Sequence, residues 1–132
     1  MKFKFWTESL DPDSCIAVDG GMPGKLHLSH WPGNRTPEEL KTDMSTGMCL
    51  KLNASPDREK YLEGISTVTN NHYDTDGVMS AFTILNPEFA DENAQLLLEA
   101  AVAGDFDAYT TGRGTAIDLT LTALTKHPDS KV

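Results

Sequence analysis

Two carboxylates, Asp74 and Asp76, flank a single threonine in the stretch Asn70-Asn71-His72-Tyr73-Asp74-Thr75-Asp76-Gly77-Val78-Met79-Ser80-Ala81. Hard divalent cations such as Mn2+ and Mg2+ seek oxygen ligands, and an Asp-x-Asp pair on a turning chain can aim two carboxylates at one ion. His72 adds a nitrogen donor, which favours Mn2+ over Mg2+. Gly77 permits a sharp turn and a close approach of the backbone to a ligand. Behind it, Ser80 and the amides of Val78 and Met79 open a predicted helix, and a helix N-terminus favours a phosphate group. The stretch therefore reads as a loop that binds a divalent metal and phosphate. The same letters also describe an ordinary capped helix after a turn. An EF-hand does not fit: that loop needs glycine at its sixth position and an oxygen ligand at its fifth, whereas here Gly77 is fourth and Val78 fifth.

Elements on both sides must hold this loop. Residues 65–69, Ile-Ser-Thr-Val-Thr, are rich in β-branched side chains and predict a strand ending at the loop. Residues 78–85 predict a helix, stopped by Asn86-Pro87. Upstream, residues 2–6 alternate as a half-buried strand does, residues 15–18 form a short apolar strand closed by Asp19-Gly20-Gly21, and residues 26–30 alternate again before Trp31-Pro32-Gly33-Asn34. Thr36, Pro37 and Glu39 carry the pattern of a helix start with a capping box. Residues 48–52 suit a helix or a strand, and Ser55-Pro56-Asp57 predicts a short helix to Leu62. Asp91 opens a helix with Ala94, Leu97, Leu98 and Ala101 on one face and Gly104 at its end. Thr115 and Asp118 look like the cap of a last helix, and the tail from His127 is polar. Strands alternate with helices, which predicts an α/β domain with a parallel or mixed sheet flanked by helices.

In such sheets ligands collect beyond the carboxyl ends of the strands. If the strands are parallel neighbours, Asp19, His30 and Asp74 converge on one cleft; an antiparallel N-terminal strand would separate them. Asp19 also suits a plain turn, and His30 a hydrogen-bonded structural role. Asn71 and Ser80 join the candidates for substrate contact, as does Arg35, whose guanidinium fork suits phosphate oxygens. The glycine-rich Thr111-Gly112-Arg113-Gly114 suits either an anion or a solvated loop. Trp6 and Trp31 read as packing residues.

The bulk composition narrows the classes. The chain of 132 residues is the length of one domain, with 39% apolar residues, so disorder is excluded. A net charge of −9, from 11 Lys+Arg against 20 Asp+Glu, opposes nucleic-acid binding, while a metal ion can still invert the field locally for a small phosphorylated substrate or nucleotide. Cys15 and Cys49 lie in apolar runs and read as buried thiols rather than a disulfide. No signal peptide and no membrane-spanning run is visible, so the expected setting is cytoplasmic. The oligomeric state is not encoded in any visible pattern.

The run His72-Tyr73-Asp74-Thr75-Asp76-Gly77-Val78-Met79-Ser80-Ala81 resembles the first motif of the DHH phosphoesterase superfamily, which reads like H-x-D-x-D-G-x-x-S/A after a strand. That resemblance implies a DHH-like N-terminal domain and a two-metal Mn2+ centre that hydrolyses a phosphodiester or phosphoanhydride bond. It implies that Asp74 and Asp76 are metal ligands in the catalytic centre, with His72 a ligand or its neighbour. The superfamily also needs a later lone Asp and an Asp-His-His motif. No Asp-His-His occurs here, and Asp105 or Asp107 is the candidate for the lone Asp. Either the chain is a piece of a longer enzyme or the centre is incomplete, which leaves a non-catalytic metal or nucleotide-binding module as the alternative. The Asp-x-Asp-Gly letters resemble less closely a phosphatase of the haloacid dehalogenase type, in which Asp74 would be the nucleophile and Asp76 the acid/base. Residues 29–37 and 70–77 also resemble the N-terminal part of an uncharacterised bacterial family.

Overall fold

The computed structural model describes residues 1–130. Four short strands, β1 (Lys2–Phe5), β2 (Cys15–Val18), β3 (Leu26–Leu28) and β4 (Thr67–Asn70), form one sheet in the order β1-β4-β2-β3, with every pairing parallel. Six helices accompany it: α1 (Ser45–Ala54), α2 (Arg58–Leu62), α3 (Thr75–Leu85), α4 (Pro87–Glu92), α5 (Ala94–Phe106) and α6 (Gly112–Lys126). The architecture is α/β, as the alternation of elements predicts. No helix among the described residues is long and apolar enough to cross a membrane.

Alternation along the strands sorts the two sheet faces. Ile16, Val18, Leu26, Leu28 and Val68 face α1 and α3, where they pack with Met48, Cys49, Leu52, Ala81 and Ile84. Beyond α3, a second apolar cluster of Met79, Ala90, Leu97 and Ala100, with Ile117 and Leu121 against it, holds α4, α5 and α6. Both cysteines are buried and unpaired.

The connection between β2 and β3 explains the local sequence. Only residues 19–25 join these two parallel strands, where about a dozen or more residues are usual. The chain must reverse at once, and Asp19 does so with φ 48°, a left-handed conformation that Asp tolerates better than most side chains. The return passes so close to β2 that a Cβ on Gly24 would lie 2.9 Å from the Cβ of Ala17.

Several local expectations are corrected. The Thr36 hydroxyl does not cap a helix; it accepts from the Ser29 amide and donates to the Ser29 carbonyl, leaving only a 3-10 turn at Glu38–Leu40. β1 is exposed along its whole length rather than half-buried, because it forms the sheet edge. Gly104 lies inside α5, where a Cβ would meet Thr75 at 2.7 Å; the helix ends at Phe106 with Asp107 in the left-handed region. The cap of α6 is Thr111, whose hydroxyl accepts from the Gly114 amide, rather than Thr115 or Asp118.

Candidate metal centre

The parallel order brings the carboxyl ends of β2, β3 and β4 to one edge, and each delivers a side chain there. β2 runs into Asp19, β3 into Ser29 and His30, and β4 into Asn70, Asn71 and His72. Asn70, 2% exposed, ties two of these ends together. Its Nδ2 donates to the carbonyls of Val18 and Asp19, each at 3.1 Å, while its Oδ1 accepts from the His72 amide at 2.6 Å.

Asp74 and Asp76 then follow, but not as a free loop. Asp74 is the N-cap of α3, its Oδ1 accepting from the Gly77 amide at 2.8 Å. The helix therefore starts at Thr75 rather than Val78. The amides of Val78 and Met79 lie within it, with the Val78 amide bonded to the Asp74 carbonyl, so they are not open to a phosphate. Ser80 falls in the next turn, buried, with its hydroxyl 3.3 Å from that of Thr46. It supports the site from behind and does not face a substrate.

Asp76 is fully buried and crosses to α1. Its Oδ2 accepts from the Ser45 amide at 2.9 Å, and its Oδ1 accepts from the Thr46 amide at 2.9 Å and the Thr46 hydroxyl at 2.6 Å. The N-cap residue of α1 is Met44, which has no capping side chain. Asp76 thus caps α1 from another helix, placing a negative charge at the positive end of its dipole.

Around these groups lie Asp19, His30, His72 and Asp105. Asp19 Oδ1 accepts from the Ser45 hydroxyl at 2.9 Å and lies 3.6 Å from His30 Nε2. Asp19 Oδ2 is buried and accepts no hydrogen bond, although His72 Nε2 is 3.2 Å away; that nitrogen is directed at Asp74 Oδ2, at 2.7 Å. Asp105, from the last turn of α5, brings its Oδ2 to 3.3 Å from His30 Nε2. Asp107 stays outside and accepts from the Tyr109 hydroxyl.

The two imidazoles are oriented alike. His30 Nδ1 lies 3.0 Å from the Asp43 carbonyl oxygen, which can only accept, so the proton sits on Nδ1. His72 Nδ1 lies 3.1 Å from Asn71 Oδ1 and its Nε2 2.7 Å from Asp74 Oδ2, so both of its nitrogens face oxygen acceptors. In both rings Nε2 faces carboxylate oxygens, a contact that requires a proton or a cation between nitrogen and oxygen. Outward Nδ1–H bonds to oxygen acceptors are the usual means of orienting metal-ligating histidines. Trp31 packs on His72 with ring centroids 4.9 Å apart.

Electrostatics point the same way. Burial, followed by the charges of Asp76 and Asp74, pushes the Asp19 carboxyl up to about 8, against the opposing hydrogen bond from Ser45. Burial and the same two neighbours push Asp105 up to about 6, with His30 and His72 pulling it down. Two sets of donor atoms, from Asp19, His30 and Asp76 and from Asp19, His72 and Asp74, each lie mutually within 4.8 Å. Asp19 belongs to both sets, with Oδ1 3.6 Å from His30 Nε2 and Oδ2 3.2 Å from His72 Nε2.

Of the residues singled out from sequence, Asp19, His30, His72, Asp74 and Asp76 come together here. Asn71 orients His72. Arg35 does not join them; its guanidinium donates to the Gly24 carbonyl and lines a different pocket with Lys25, His27 and Lys60. The residues 111–114 form the first turn of α6, where a Cβ on Gly114 would lie 2.8 Å from Glu99. Asn70, Ser45 and Thr46 went unnoticed in the sequence. Asn70 left one signal, an amide ending an otherwise β-branched strand; the other two left none.

The chain belongs to the family described as a family of unknown function (DUF6687), which it matches over residues 1–131. No curated protein and no solved structure matches it.

Proposed function

We propose that this member of a family without assigned activity is a metal-dependent phosphoesterase-like domain that hydrolyses a phosphodiester or phosphoanhydride bond. Its metal, Mn2+ or Mg2+, would be held by Asp19, His30, His72, Asp74 and Asp76, with Asp105 at the rim. The observation that carries this reading is the unpartnered Asp19 Oδ2, buried among other carboxylates and 3.2 Å from His72 Nε2. A desolvated carboxylate without a donor is costly, and a divalent cation is the group whose charge and ligand preference relieve it. The mixed nitrogen and oxygen donors favour Mn2+. Such an ion supplies Lewis acidity toward a phosphoryl oxygen and acidifies water. The chain's own part is to hold donors in place. Asn70 fixes the strand ends, Ser45 and Thr46 hold Asp19 and Asp76, and Asn71 and the Asp43 carbonyl orient the two imidazoles. The resemblance of residues 72–81 to the DHH first motif supports the same chemistry.

A second reading has its own observation. Asp76 already accepts three hydrogen bonds, all from Ser45 and Thr46 at the start of α1. An Asp76 committed to capping leaves ligands for one ion at Asp19, His72 and Asp74, which suits a non-catalytic module that binds a metal–nucleotide complex. Calorimetric titration of Mn2+ into the wild-type chain, Asp74→Asn and Asp19→Asn separates the readings. Micromolar binding of two ions, lost in both variants and accompanied by hydrolysis of bis(p-nitrophenyl) phosphate, supports the phosphoesterase. One ion without turnover supports the binding module. No binding, or binding indifferent to both substitutions, rejects the metal centre.

A further inference from the structure

Beside the carboxylates and histidines lies an apolar pocket of about 620 Å3, walled by Phe3 and Phe5 of β1, Tyr73, and Val78 and Ala81 of α3. Its size is within the range of about 300–1,000 Å3 usual for small-molecule sites. Among the described residues, no Asp, Glu, Lys or Arg lines it. Phe3 and Phe5 pair in register with Val68 and Asn70, so they stand on the helix-facing side of the sheet. They remain 45% and 53% exposed, large apolar groups left uncovered next to the cluster.

The remaining wall residues, Asn70, His72 and Gly77, also border the candidate metal centre. Gly77 is the thinnest part of this partition. A Cβ there would lie 2.5 Å from Asn70 Nδ2, 3.0 Å from Asp74 Oδ1 and 3.3 Å from Asp19 Oδ2, so the missing side chain keeps the pocket next to the unpartnered oxygen.

Resting on the metal-centre reading, we infer that this pocket receives the uncharged, ring-bearing organic group of the substrate, so that the substrate class is an aromatic or similarly flat apolar ester of phosphate rather than inorganic pyrophosphate or a sugar phosphate. The phosphate binds over the cluster, where a cation offsets the carboxylates. The group attached to it lies against Phe3, Phe5, Tyr73 and Val78, whose apolar surface offers nothing to a charged or heavily hydroxylated substituent. Aromatic walls suit a flat ring through stacking and edge contacts.

The test uses the full chain loaded with Mn2+ and two stable probes, phenylphosphonate and methylphosphonate, which share a charged head and differ in the organic group. The expected result is at least about tenfold tighter binding of phenylphosphonate, the size of effect that burying a ring gives. In the Phe3→Ser/Phe5→Ser double variant the two probes are expected to bind within about twofold of each other, with Mn2+ affinity unchanged. Both side chains are exposed, and the unchanged Mn2+ affinity reports that the fold and cluster are intact. Equal affinities in the wild-type chain, or a phenyl preference that survives the double substitution, overturn the pocket assignment and leave the metal centre standing. Failure of the wild-type chain to bind Mn2+ overturns the metal centre and this inference together.

Discussion

Asp74 and Asp76 are two identical side chains in one motif, yet they stand in opposite environments. Asp76 has no exposed side-chain surface, and its oxygens accept from two amides and a hydroxyl of α1. Asp74 has 38% of its side chain exposed, caps its own helix with one oxygen and turns the other to His72. The rear half of the site is a saturated scaffold. The front half, with Asp74, His72, Gly77 and Asp19 Oδ2, holds the unmet valence and borders the pocket. The two carboxylates of the motif thus differ in how fully their oxygens are satisfied, because side chains two apart at the start of a helix diverge.

The largest effect that would test this division is expected at the rear. Asp76→Ala strips the partner from two amides and a hydroxyl at the start of α1 and should cost about 3 kcal/mol in urea denaturation of the metal-free chain. Asp74→Ala should cost about 1 kcal/mol, the ordinary loss of an exposed cap. Equal costs would erase the distinction between scaffold and binding carboxylate.

Gly77→Ala probes the partition between cluster and pocket. The new Cβ contacts the amide of Asn70 and the carboxylate of Asp74, so a stability loss of about 1–3 kcal/mol is expected, with Mn2+ affinity falling in calorimetry. Wild-type stability and metal binding in this variant would show that the partition has room to spare.

Asp19→Asn sharpens the front half in the opposite direction. Asn accepts the left-handed backbone and removes a carboxyl that must take up a proton on being buried beside Asp76 and Asp74. The metal-free protein is expected to gain about 1 kcal/mol in stability while losing the thermal stabilisation that Mn2+ gives the wild-type chain, a trade typical of a functional position. Loss of stability in the metal-free variant would mark Asp19 as scaffold.

The same residue sets a pH dependence. The Asp19 carboxyl is raised from 3.8 to about 8, so the folded chain holds its proton over a range in which the unfolded chain has released it. Its contribution to stability is therefore full below about 4 and is lost as pH rises through about 8 in the metal-free protein. Mn2+ must displace that proton, so its affinity should rise with pH over the same window. A metal-free melting temperature that climbs between pH 5 and pH 8 would contradict the assignment.

The smallest effect is expected at Asn71. Asn71→Ala removes the acceptor of His72 Nδ1–H, and a roughly tenfold loss of Mn2+ affinity should follow without a change in stability. An unaltered affinity would show that Trp31 packing alone orients the ring.

Much of the fold was legible because strand length, β-branching and helix periodicity are local properties. Residues 15–18 and 65–69 announce strands, the second observed two residues later at its start and one at its end, and the alternation of strands and helices announces the α/β class. Helix boundaries failed where a side chain found a distant partner. Thr36 went to Ser29 instead of a cap, and Gly104 served the approach of α5 to Thr75 instead of ending the helix. The conditional convergence of Asp19, His30 and Asp74 was also readable, since polar residues at strand ends meet whenever the strands are parallel. Asp105 was visible only as one of two alternatives, and Arg35 reads the same whether it faces the cluster or, as here, lies apart from it.

The sequence by itself determined the residue types that can ligand a cation, their placement just after strands, and a helix behind them, read from Val78 although it starts at Thr75. Only the tertiary structure decided that Asp74 caps its own helix while Asp76 caps α1, which oxygen of Asp19 is left without a donor, and that two imidazoles turn the same nitrogen inward. These outcomes depend on contacts between residues such as Asp76 and Ser45, 31 positions apart. Hydrogen-bond satisfaction is settled across the whole buried assembly, whereas propensity and periodicity act within a few residues of chain.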